Sequence, residues 1–134
     1  MLLLDTHAIL WLGTGAGIAD ASRIAIDDAS LRGEVLVSPV SAWEIGLLVA
    51  KGRLALDRPP RRWFAYFLGL PGVRLVPLTP EAAIASSFLP GSFHSDPADR
   101  LLVATAVTWP ATLVTRDARI LAYAGAGHVR ALAC

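Results

Sequence analysis

Leu2-Leu3-Leu4-Asp5-Thr6-His7-Ala8-Ile9-Leu10-Trp11-Leu12-Gly13 decides the fold. Three consecutive leucines read as a short buried strand. Asp5 and Thr6 end it and offer helix-capping side chains. His7–Leu12 then reads as a helix that stops at Gly13. The same alternation continues along the chain. Helical spacing over Ala19–Leu31 ends at Gly33, and Glu34–Val37 is a second strand. Ser38-Pro39 places an N-cap before a first-turn proline and opens a helix to about Ala50. Pro59-Pro60 introduces a helix over Arg61–Leu70, and Val73–Leu78 is a third strand. Thr79-Pro80-Glu81 starts a helix through about Phe88, and Asp96-Pro97 starts another over Ala98–Trp109. Thr112–Thr115 is a fourth strand, Arg116–Tyr123 a short helix and His128–Ala131 a possible fifth strand. Strands alternating with helices imply βαβ units. The expected fold is therefore α/β: a three-layer α/β/α sandwich with a central, mainly parallel sheet of four to five strands.

The 134 residues read as one domain, 1–134, long enough for a core without disulfide staples. Mean hydropathy is +0.54 and 54% of residues are hydrophobic. Such a chain either has a large core for its size or hides apolar surface against a partner. Its apolar runs, Ile45–Ala50 and Leu101–Val107 among them, fall short of the roughly 18 residues that span a bilayer. With no basic leader before Asp5 and a single cysteine, Cys134, the expectation is a cytoplasmic protein with no membrane association. The net charge of +1 does not announce a nucleic-acid binder. Eleven of the twelve cations are arginine, which suits bidentate phosphate contacts but also follows from base composition.

Ligands of parallel α/β sheets sit at the carboxyl ends of the strands. Asp5 follows strand 1 directly, and Asp117 follows strand 4 by one residue. Glu44 lies about one and a half turns into the helix after strand 2, at about 3.6 residues per turn. Asp99 lies in the first turn of its own helix. All four can reach one sheet edge. Each also has a local explanation. Asp5 or Thr6 can cap the first helix, and Ser41-x-x-Glu44 matches a capping box. Asp96 is placed as an N-cap, Asp99 favours the helix dipole, and Asp117 stands in a first turn capped by Thr115. The set is harder to dismiss than its members, because half-buried acids without basic neighbours repel one another and a divalent cation removes that repulsion. No CxxC, HExxH or His pair supports zinc. All-oxygen ligands suit Mg2+ or Mn2+, which typically act on phosphate-bearing substrates.

Four stretches, in order, resemble one family. Leu3-Leu4-Asp5-Thr6-His7-Ala8-Ile9-Leu10-Trp11 is similar to the opening of PIN-domain nucleases, specifically the VapC-type toxins of bacterial toxin–antitoxin pairs. Val37-Ser38-Pro39-Val40-Ser41-Ala42-Trp43-Glu44-Ile45 resembles their second motif. The stretch from His94 to Ala106, containing Asp96-Pro97-Ala98-Asp99-Arg100, resembles the third, and Leu113-Val114-Thr115-Arg116-Asp117 the fourth. The resemblance spans nearly the whole chain and is loose over Arg53–Val73. It implies a PIN-like α/β/α fold and an endoribonuclease dependent on Mg2+ or Mn2+, with Asp5, Glu44, Asp99 and Asp117 as catalytic acids. Asp5, Asp99 and Asp117 would hold the metal, and Glu44 would orient or deprotonate the attacking water. Asp96 is expected to cap rather than ligate. An RNA substrate (tRNA, rRNA or mRNA), a VapB-type antitoxin and a homodimer are the implied partners.

Other residues carry weaker signals. His7 is expected on a helix surface and His94 in a solvated loop. Arg100, Arg116 and Arg119 are candidates for phosphate contact or carboxylate pairing. The aromatic segment Trp63–Phe67, preceded by Arg61-Arg62, suggests packing plus an interface. Trp11, Trp43 and Trp109 are assigned to the core. Gly13–Gly17 lacks the lysine of a phosphate loop and follows a helix, so nucleotide binding there is rejected. Two alternatives stand beside the nuclease: a phosphohydrolase with Asp5 as nucleophile, which lacks the expected second acid and nearby lysine, and a non-catalytic module, against which the four acids argue.

Overall fold

The computed structural model describes residues 1–134. Five strands form one sheet: β1 (Leu2–Leu4), β2 (Val35–Val37), β3 (Val73–Leu75), β4 (Thr112–Thr115) and β5 (Ala131–Ala133). Their order is β3-β2-β1-β4-β5, and every pairing is parallel. Seven helices connect them: α1 (Thr6–Thr14), α2 (Asp20–Leu31), α3 (Pro39–Ala50), α4 (Pro60–Leu68), α5 (Pro80–Ala85), α6 (Pro97–Thr108) and α7 (Ala118–Gly125). No helix is long and apolar enough to cross a membrane.

The period-two geometry of the strands builds the layers. Leu3, Leu36 and Leu113 point to one face, where they meet Leu102 and Val103 of α6 and Ile120 and Tyr123 of α7. Leu4, Val35, Val37 and Val114 point to the other, against Ile9 of α1, Ile26 of α2, Ile45 of α3 and Trp63 and Phe67 of α4. Apolar runs buried on both faces thus generate the α/β/α sandwich expected from their alternation with helices. Each fully buried leucine or isoleucine contributes roughly 1.5–3 kcal/mol.

Capping side chains punctuate the chain as the sequence suggests. Ser38 accepts from the Val40 N–H, Thr79 from Ala82 and Asp96 from Asp99. Several details differ. The first helix runs through Gly13 to Thr14, and α5 ends at Ala85, short of the expected Phe88. The last helix begins at Ala118 with Asp117, not Thr115, as its side-chain cap. The fifth strand falls at Ala131–Ala133, beyond the expected His128–Ala131, because β4 pairs Leu113 with Ala131 and Thr115 with Ala133. The third strand stops at Leu75, short of Leu78.

The topology locates the crevice. From β1 the chain proceeds outward through β2 to β3, then returns to the other side of β1 for β4 and β5. The direction of winding therefore reverses between β1 and β4, and the crevice opens at their carboxyl ends, where Asp5 and Thr115–Asp117 lie.

Candidate active site

Asp5, Glu44, Asp96, Asp99 and Asp117 line a single pocket of about 400 Å3, together with His7, Trp11, Arg116 and Arg119. The four acids singled out from the sequence are brought together, and Asp96 joins them. No lysine lines the pocket, so the phosphohydrolase alternative gains nothing from the geometry.

Buried hydroxyls hold these acids in place. The Thr115 hydroxyl, fully buried on β4, donates to Asp5 Oδ2 at 2.6 Å and accepts from the Asp117 N–H at 3.0 Å. One threonine thereby fixes both the acid at the end of β1 and the start of α7. Thr6, buried in the first turn of α1, has one hydroxyl proton and two near partners: Glu44 Oε1 at 2.5 Å and Ser41 Oγ at 3.0 Å. Donation to the carboxylate is the stronger choice, which leaves Ser41 to donate back to Thr6. Glu44 thus sits inside α3, past its Ser38 cap, and is not the partner of a Ser41 capping box.

The electrostatics of the pocket are those of crowded acids. Asp99, with only 15% of its side chain exposed, is pushed up to about 7, first by burial and then by the carboxylates of Asp96, Asp5, Asp117 and Glu44. Glu44 is raised, chiefly by burial, against the lowering effect of the Thr6 hydrogen bond. For Asp117, partial burial pushes the carboxyl up. Hydrogen bonds from the Arg119 side chain and from the Ile120 and Arg119 N–H groups outweigh it and hold the group below its ordinary range. Arg119 Nη2 bridges two of the acids, at 3.1 Å from Asp117 Oδ2 and 3.6 Å from Asp99 Oδ2.

The pocket fits an oxygen-loving dication. Carboxylate oxygens of Asp99 and Asp117 lie within 4.8 Å of each other and of a His94 ring nitrogen; Asp5 lines the same pocket but stands outside that close group. His94 Nε2 is buried 3.1 Å from Asp99 Oδ2, yet off the line of a good hydrogen bond, and has no other partner. Its Nδ1 accepts from the Asp96 N–H at 3.3 Å. In the neutral ring the proton therefore resides on Nε2 and faces Asp99. That tautomer makes His94 a neighbour of the acids and leaves the dication to oxygen donors.

Several residues differ from the expectations. His94 is not a solvated loop residue: Arg100 draws its loop inward. The Arg100 guanidinium pairs with no carboxylate; it donates to three carbonyls, of Ser86, Phe93 and His94, at 2.8–3.1 Å. A lone arginine beside a candidate acid could not reveal this, because backbone carbonyls leave no mark in side-chain sequence. Arg116 lies 3.8 Å above the Trp11 ring and donates to the carbonyls of Cys134 and Gly17. Trp11 is accordingly part of the pocket wall, with exposed His7 tilted against it. Trp43 is 56% exposed and is not core. With Glu44 and Asp96 it lines a small separate hollow, and apolar character alone did not distinguish that from burial. In α4, Trp63 and Phe67 are buried while Tyr66 is exposed with Arg58 over its ring.

Comparison with known proteins agrees with this layout. A PIN domain family profile matches residues 2–126. Ribonuclease VapC22 of Mycobacterium tuberculosis is 36% identical over 120 residues, spanning 89% of this chain and 88% of the relative. Among solved structures, VapBC2 from Rickettsia felis, bound to a DNA fragment from its promoter, superposes with a TM-score of 0.72 at 14% identity, covering 98% of this chain and 97% of that one. DNA-bound VapBC from Salmonella typhimurium gives 0.69 at 15% identity, covering 98% and 96%. At those identities the two structures speak for the fold alone.

Proposed function

The chain belongs to the PIN domain family, and from that premise we propose that it is a divalent-metal-dependent endoribonuclease, the toxin of a VapBC-type pair, built as one domain over residues 1–134. The observation that carries the reading is the crowding of five carboxylates in one pocket without a lysine, with Asp99 pushed up to about 7 by burial and its acidic neighbours. Such a pocket is poised to exchange a proton for a cation. The 36% identical relative is named a ribonuclease, which supplies the substrate class.

In this reading Asp5, Asp99 and Asp117 hold the ion, magnesium or manganese. The bound ion would polarise a phosphoryl oxygen of RNA and make a nearby water more acidic. Thr115 keeps Asp5 Oδ2 oriented, which leaves Oδ1 free for the ion. The Thr6 hydroxyl occupies Glu44 Oε1, so Oε2 is free to orient the water and accept its proton. Partial burial makes Glu44 a stronger base than an ordinary carboxylate. Arg116, held over the Trp11 ring, and Arg119 supply positive charge at the rim for the phosphate chain. Water oxygen bonds to phosphorus as its proton passes to Glu44, the bond to the 3′-oxygen breaks, and that oxygen takes a proton from solvent and leaves as a hydroxyl. The products are a 5′-phosphate and a 3′-hydroxyl.

The structural neighbours are toxin–antitoxin complexes, which supports a VapB-type antitoxin as partner. The exposed apolar side chains Trp43, Leu47 and Tyr66 on α3 and α4 give such a partner, or a second copy in a homodimer, surface to cover.

Purified protein should cut single-stranded RNA in the presence of Mn2+ or Mg2+, leaving 5′-phosphates, and EDTA should stop it. Cleavage that continues unchanged in excess EDTA would contradict the reading.

A further inference from the structure

We propose that the cleft beside His94 is a nucleobase subsite, which receives an unpaired base of the RNA strand next to the phosphate that is cut. This deepens the ribonuclease reading and rests on it. The cleft, about 470 Å3, runs between the 90–95 loop and α7, within the roughly 300–1,000 Å3 typical of small-ligand sites. It joins the acidic pocket directly. Arg119 lines both hollows, and His94, on the cleft wall, has a ring nitrogen 3.1 Å from Asp99.

The two walls differ in a way that suits a flat ring. On the loop side stand Phe93 and His94, with ring centroids 4.3 Å apart. Behind them the aromatic surface continues from Phe93 to Tyr123 at 4.7 Å and on to His128 at 4.6 Å. On the helix side stand Arg119 and Tyr123 together with Ala122 and Ala126, the two alanines four residues apart and both exposed. Ring faces stack on any base and so favour single-stranded nucleic acid. His128 lines the cleft as well, its Nε2 packed against Gly91. A peptide side chain could also rest on rings. What favours a nucleotide is the adjacency of ring wall, Arg119 cation and carboxylates: Arg119 lines both hollows and His94 lies against Asp99. A base, its own phosphate and the reacting centre call for the same three neighbours.

The loop is held in shape without regular secondary structure. Arg100 ties down the carbonyls of Phe93 and His94 from one side. The Tyr123 hydroxyl donates to the Pro90 carbonyl from the other. Gly91, at φ +68°, packs so closely that an added Cβ would lie 2.7 Å from His128 Nε2. A cleft braced in this way loses little entropy when a ligand enters.

Ala122→Trp fills the slot from the solvent side, and Ala126→Glu, one turn on, places a negative charge in it. Both are tested with Mn2+ on a panel of single-stranded RNAs whose products are sequenced, alongside the Tm and calorimetric Mn2+ affinity of each variant. The expected result is a fall in kcat/KM of about 10-fold or more and a changed base preference beside the cut, with Mn2+ affinity and Tm as in the unaltered protein. If the unaltered protein cuts RNA and a folded variant of either kind cuts the same positions with the same kcat/KM, the subsite is overturned and the nuclease stands. If the unaltered protein cuts no RNA with Mn2+, the nuclease reading falls and takes the subsite with it.

Discussion

Asp99→Asn is expected to lower metal-dependent RNA cleavage by about 100-fold or more while making the EDTA-treated protein more stable at pH 8. The two effects have one cause. Asp99 is largely buried among Asp96, Asp5, Asp117 and Glu44, and its carboxyl is raised from 3.8 to about 7. Below about pH 4 the group is protonated in both folded and unfolded chains and costs nothing. Between about 4 and 7 the unfolded chain releases the proton while the folded chain keeps it, so stability falls as pH rises. Above 7 the folded protein carries the full penalty of a buried charge among like charges. Asparagine carries none at any pH. Discounted for solvent screening, the difference at pH 8 is on the order of 1–2 kcal/mol, or a gain of roughly 3–6 °C in Tm. At pH 4 the variant and the unaltered protein should melt nearly together. With saturating Mn2+ the order should reverse, because only the unaltered site gains from binding. Thermal melts at pH 4 and 8, with EDTA and with Mn2+, check all three statements. An Asp99→Asn protein no more stable than its parent at pH 8 in EDTA would show that the acids do not crowd one another as described.

The second large effect lies far from the pocket. Gly72→Ala is expected to destabilise the protein by about 3–5 kcal/mol, a fall in Tm of about 10 °C or more. Gly72 adopts φ +78°, which L residues rarely occupy, and an added Cβ would lie 2.0 Å from the Ser30 carbonyl oxygen and 2.5 Å from Ser30 Cα. Those are backbone atoms at the end of α2 and cannot swing aside. Gly72 also offers its carbonyl to the Val35 N–H where β2 starts, so a shift there disturbs the β2–β3 register. Gly33, at φ +67° with open space around its Cβ position, is the control: Gly33→Ala keeps the backbone strain, lacks the clash, and should cost about 1 kcal/mol. Equal losses at the two positions would mean that the close packing of Gly72 on Ser30 contributes nothing.

Much of the fold was legible because the signals that build it are local. Leu3 and Leu4 face opposite layers by strand geometry alone, and Ser38, Thr79 and Asp96 cap the helices that follow them. Convergence of Asp5, Glu44, Asp99 and Asp117 followed from their places at strand ends and in the first two turns of helices. What stayed hidden depends on partners remote in sequence. Thr115 reads as a helix cap, but its proton goes to Asp5, 110 residues away. Arg100 reads as a phosphate or carboxylate ligand, yet it braces a loop through carbonyls. His94 reads as solvated until that brace is seen. Trp43 reads as core because helical spacing cannot tell which apolar face the sheet will cover. The fifth strand was displaced because buried Val129 resembles a strand residue, while the register is set by pairing with β4.

The central claim is that a divalent ion takes the place of a proton among these acids. Titration with Mn2+ by calorimetry at pH 6.5, repeated in two buffers of different ionisation enthalpy, measures binding and proton release together. The account predicts saturable binding accompanied by release of about half to one proton per ion, both lost in Asp99→Asn. Heats that show no binding, or binding with no proton released and no effect of Asp99→Asn, would contradict it.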